Sequence, residues 1–252
     1  MAHHQNLNDL RPSDIVQPAL LAEYDRRLGV FADDLTIAHT NLCILRQMRN
    51  FDAALFEAPA ALLSYLGTNL IDQVLLILTR LWGDTSRGVM TMDKFATWLR
   101  EKGVRPECRH SVASAIDQAT PSPNLWNVIE RCRKIRHARV AHLSAELRLR
   151  TTPVSVRLDE IECAANALGD LYNAMNFGAT MEFVLIEFHC DDGRYDEGDF
   201  GYVLDRIALG SKWFSLPEKH PSIWPHFRET VTEEQLTKIN ELRCRYNMVP
   251  LL

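Results

Sequence analysis

The sequence predicts an all-α fold, an antiparallel helical bundle followed by an irregular C-terminal extension. Three observations predict it. Apolar residues recur at three- and four-residue spacing through most of residues 31–188. Prolines and glycines interrupt that pattern at helix-length intervals, as at Ala58-Pro59, Gly83, Gly103 and Pro106. The composition, 46% hydrophobic and 24% charged over 252 residues, suffices for a sizeable core without crosslinks.

Residues 1–16 are polar and are expected to form a flexible arm. Pro18 opens a helix over Ala19–Leu28, and Gly29 loosens or caps its junction with the next. Phe31, Leu35, Ala38, Leu42, Leu45 and Met48 mark an amphipathic helix running to about Phe56. Pro59 breaks it, because the residue before a proline avoids helical geometry. The next helix, Ala60–Trp82, carries leucines on more than one face and is expected to be central, with Gly83-Asp84 ending it. Short helices follow over Met92–Lys102 and from Pro106 to Ala119. Thr120-Pro121-Ser122-Pro123-Asn124 is a rigid connection supplying a cap for a helix from Leu125 to about Ser144.

Residues 148–157 read as extended. Leu158–Phe188 reads as one long helix or as two joined near Phe177-Gly178, and its end, Met181–Phe188, admits helix or strand. At His189 the composition turns polar and acidic, and Cys190–Asp199 reads as a loop. Val231–Arg245 is a final amphipathic helix capped by Thr230 or Thr232. The resulting division is an arm (1–16), a bundle (17–188) and an extension (189–252).

The six cysteines show no zinc-binding or redox spacing, and Cys132 and Cys163 fall in apolar helical patterns that suit buried, reduced thiols. Residues 1–18 lack a signal-peptide pattern. The apolar stretch Leu70–Leu81 is broken by Asp72, Gln73 and Arg80, so a cytoplasmic location is expected. A net charge of -5 argues against a protein coated in positive charge.

One segment departs from that balance. Residues 127–150 hold seven basic side chains (Arg131, Arg133, Lys134, Arg136, Arg139, Arg148, Arg150) against Glu130 and Glu146, a local charge of +5. Such a patch attracts phosphodiesters even on an acidic molecule. His137 and His142 lie within it. Near pH 7 an imidazole can accept the proton of a ribose hydroxyl or return one to a leaving oxygen, and an arginine can stabilise charge developing on phosphorus. Arg136 and His142 are six residues apart, about 240° around an ideal helix. They meet only where the helix distorts or ends, or where a second copy supplies its own motif. The competing structural reading is a solvated, arginine-rich helix end.

Arg136-His137-Ala138-Arg139-Val140-Ala141-His142, an arginine followed by a polar residue and then a histidine near a core-helix end, resembles the signature of the HEPN superfamily. The ending Val140-Ala141-His142-Leu143 is similar to the abortive-infection type U branch, as is Leu78-Thr79-Arg80-Leu81-Trp82-Gly83-Asp84 on the upstream helix. The resemblance covers roughly residues 30–180. It implies a HEPN-type bundle of about five helices, a homodimer with two motifs facing one cleft, and a metal-independent endoribonuclease without cofactors. Toxin–antitoxin, abortive-infection and phage-defence systems use such proteins, sometimes with an antitoxin or a nucleotidyltransferase as partner. Carried over, Arg136 and His142 are the catalytic pair and His137 assists. Arg133, Lys134 and Arg139 steer RNA, with Arg80 and Asp84 lining the cleft. The alternative is a non-catalytic HEPN adaptor that binds RNA, nucleotide or a protein partner.

Other features carry less. Arg80 and Asp84, at i,i+4, are positioned for a helix-end ion pair. The acidic loop Asp191–Asp199 lacks an EF-hand pattern. His3-His4 sits in a polar terminus. His39 falls on the apolar stripe, where a structural bundle histidine is expected. Trp213, Trp224 and His226 could cover apolar surface or offer a weak base-stacking platform.

Overall fold

A computed structural model of the chain describes residues 10–56, 58–84, 86, 88–137, 155–181, 199–211, 222 and 224–251. The fold is all-α. No strand occurs among the described residues; an isolated bridge pairs Val16 with Val104. The chain divides into two compact units, one built from 1–42 and 71–185, the other from 43–70 and 186–252. The expected division at residue 189 is therefore corrected. The C-terminal segment forms a unit together with residues 43–70 rather than standing as an appendage.

In the first unit, α1 (Pro12–Ile15) is a single turn started by a proline. Ile15 and Val16 are fully buried, so the segment expected as a flexible arm is packed from there on; residues 1–9 lie outside the described residues. α2 (Leu21–Asn50) is one continuous helix where two were expected. Gly29 sits in open space and interrupts nothing. A solvent-facing glycine costs a helix only about 1 kcal/mol, less than the flanking Leu28 and Phe31 gain by burial. α3 (Ala60–Leu81), whose residues up to Leu70 belong to the second unit, ends one residue before its expected limit. α2 and α3 each contain a stretch long and apolar enough to cross a membrane by length and composition, a property that core helices share.

α4 (Met92–Trp98) runs into a π-type turn over Leu99–Gly103, and α5 (Arg109–Ala119) follows a 3-10 turn that begins at Pro106. α6 (Pro123–Arg136) has its proline in the first turn, where a missing N–H costs nothing. α7 (Leu158–Met175) stops well before Phe188 because Asn176 leaves helical geometry and Gly178 turns at φ +76°. A Cβ at Gly178 would stand 2.6 Å from the Leu10 carbonyl oxygen, so the turn admits only glycine. The open choice of helix or strand for Met181–Phe188 lies outside the described residues, apart from Met181.

α7 packs against α4, α5 and α6. Ile161, Ala164, Ala165, Leu168 and Leu171 form its buried stripe. Cys163 lies off that stripe and is exposed, contrary to expectation, whereas Cys132 is buried and its thiol pKa is pushed up to about 12 by burial. Tyr24 ties the two ends of this unit together: its hydroxyl donates to the Met175 carbonyl (2.8 Å) and accepts from the Phe177 amide (2.9 Å). Its ring stacks on Phe177 at 5.5 Å. His39 is the buried bundle histidine the spacing predicts. Burial holds its pKa below the usual imidazole value, with a hydrogen bond to the Ala165 backbone opposing that shift.

In the second unit, α8 (Phe200–Leu209) occupies sequence expected to be irregular. Asp199, the last residue of the expected acidic loop, is its N-cap and accepts from the Gly201 amide at 2.7 Å. α9 (Trp224–Arg228) is short. α10 (Glu233–Arg245) starts with a capping box in which Thr232 and Gln235 each accept the other's backbone N–H. Leu55, Phe56, Ala208, Val231, Leu236, Ile239 and Leu242 form the core of this unit, with Trp224 against it. Trp213 lies outside the described residues.

Candidate active site

Two helix ends in the first unit build the candidate site: the C-terminus of α3 with the turn after it, and the C-terminus of α6. α6 places Arg133, Lys134 and Arg136 in its last turn, where cations meet the negative end of the helix dipole. The regular helix ends at Arg136. His137 keeps helical angles (φ -60°, ψ -40°) and begins a wider, π-type turn. Lys134 and His137 are exposed. Arg139 and His142 lie outside the described residues.

Arg136 Nη1 donates to Thr79 Oγ1 at 3.1 Å. Thr79 is fully buried, and its hydroxyl turns its own proton toward the Leu75 carbonyl at 2.8 Å. The hydroxyl is therefore held as an acceptor for arginine, and one guanidinium N–H is fixed without its charge being neutralised. Asp84, just beyond α3, feels that charge. Its carboxyl is held below the ordinary carboxylate range first by hydrogen bonds from Ser86, with Arg136 and Lys94 adding attraction. Lys94 Nζ donates to the carbonyls of Asp84 and Val89, both at 2.8 Å, and so secures the loop that carries Asp84.

Arg133 has a different task. Its Nη2 donates to the carbonyls of Gly83 (2.9 Å) and Trp82 (3.2 Å), and its Nη1 pairs with Glu130. It thereby satisfies carbonyls left open at the end of α3. Gly83 adopts φ +72° there, and the Trp82 and Trp126 rings meet edge-on at 5.4 Å. A Cβ on Gly83 would lie 2.8 Å from Arg133 Nη2 and 2.9 Å from the Trp126 ring.

The expected Arg80–Asp84 ion pair does not form. α3 ends at Leu81, so Asp84 lies past the helix and off the i,i+4 face. Arg80 instead forks onto Asp34 of α2, with Nε 3.0 Å from Oδ2 and Nη2 on Oδ1. Burial raises the Asp34 pKa, and the guanidinium opposes that rise.

The structure thus brings together Arg136, Arg133, Asp84 and the α3 terminus, and it directs Arg80 to α2. Two participants were not anticipated. Thr79 stands within the quoted α3 ending but carries no charge to draw notice. Asp34 had a signal: an acid three residues after Phe31 and beside Leu35, on the edge of a buried stripe, needs a cation. Among the described residues no cluster of histidine, cysteine or carboxylate side chains is arranged to hold a metal ion. Comparison with protein-family models, curated proteins and solved structures returns no match.

Proposed function

We propose that the chain is a metal-independent endoribonuclease of HEPN type, acting as a toxin or defence effector. The observation that supports this reading most is Arg136, seated at the end of the regular part of α6 and oriented by a neutral, buried hydroxyl. A guanidinium held this way keeps its charge for a phosphate, and pre-orientation is what makes such a group useful in a transition state. His142 would supply the proton transfers, with His137 beside the arginine and Lys134 steering RNA from an exposed position. A homodimer would bring a second Arg136 and His142 to the same cleft.

The test is RNA cleavage in the presence of chelator by wild type, Arg136→Ala and His142→Ala. Each variant should lose at least about a hundredfold in rate. Equal cleavage by all three removes the proposal.

A second reading, a non-catalytic adaptor, draws support from the occupied state of Arg133 and Arg80. Arg133, one of the residues expected to steer RNA, donates to main-chain carbonyls, and Arg80, expected to line the cleft, pairs with Asp34. An adaptor binds RNA, nucleotide or protein without turnover, and His142→Ala leaves its binding intact. Growth arrest on expression, relieved by His142→Ala, would instead mark an active toxin.

A further inference from the structure

We draw no further inference here: the strongest candidate, the outward apolar face on the N-terminal half of α3, where Leu62 and Tyr65 are 59% and 70% exposed, carries nothing because nothing in the structure shows what covers it.

Discussion

At the scale of single residues, two buried polar side chains determine what can be measured. Thr79 holds Arg136 through an oxygen that also bonds within its own helix. Thr79→Val keeps the shape and removes the acceptor. We expect a stability change within about 1 kcal/mol and, on the proposed ribonuclease reading, a loss of RNA cleavage of tenfold or more. Thermal melts beside cleavage rates check this, and a variant that cleaves normally would make Thr79 merely structural. His39 gives a pH prediction. Its folded pKa is depressed from 6.5 by burial, so the folded state binds fewer protons than the unfolded chain below that pH. Its contribution is fully present above about pH 6.5 and is lost as pH falls toward the folded value. Urea midpoints should therefore decline between pH 7 and pH 5, and His39→Gln should flatten part of that decline. An unchanged slope would count against the burial argument.

At this scale the sequence picked out the charged residues and paired Arg80 with Asp84, where the structure pairs it with Asp34. Arg80, Arg133 and Asp84 were visible as charged candidates. Whether an arginine serves a substrate or a carbonyl depends on where the neighbouring helix ends, which is a long-range fact. Arg133 became a capping group for α3, and Arg80 crossed to Asp34.

At the scale of elements, periodicity located α3, α6, α7 and α10 well, because their buried stripes are made of aliphatic residues. α8 went unread although Phe200, Val203, Leu204, Ile207 and Ala208 recur at helical three- and four-residue spacing; the acidic, glycine-containing stretch before it drew the reading toward irregular structure. Gly29 misled in the opposite sense, since an exposed glycine is a weak breaker when both flanks are anchored. Gly83 is the contrasting case. Its left-handed backbone and the tight approach of Trp126 leave no room for a side chain. Gly83→Ala should destabilise the protein by roughly 1–3 kcal/mol. On the proposed ribonuclease reading, RNA cleavage should fall as well, because the same turn approaches Arg133. Denaturant titration of the variant decides this, and a midpoint equal to wild type would contradict it.

At the scale of the whole molecule, the partition into two units changes how truncations will behave. Leu55 and Phe56 are buried in one core with Val231, Leu236, Ile239 and Leu242. Ending the chain at residue 188 removes most of that core while leaving 43–70 behind. The shortened chain should aggregate, or lose several kcal/mol of stability, in line with large apolar side chains returned to water. A soluble 1–188 fragment with wild-type unfolding behaviour would contradict that. The sequence pointed to a boundary at 189 because composition changes there, but cores follow contacts, and a compositional break need not coincide with one.

The Tyr24 hydroxyl that bridges Met175 and Phe177 joins points 151 and 153 residues apart in the chain. The consequence belongs to synthesis. A ribosome adding roughly 5–20 residues per second must work on the order of ten seconds after Tyr24 has formed before its partners exist. Throughout that interval the first unit cannot close. The apolar faces of α2 and α3 leave the exit tunnel long before α7, which makes the nascent chain a natural client for chaperones that shield such faces.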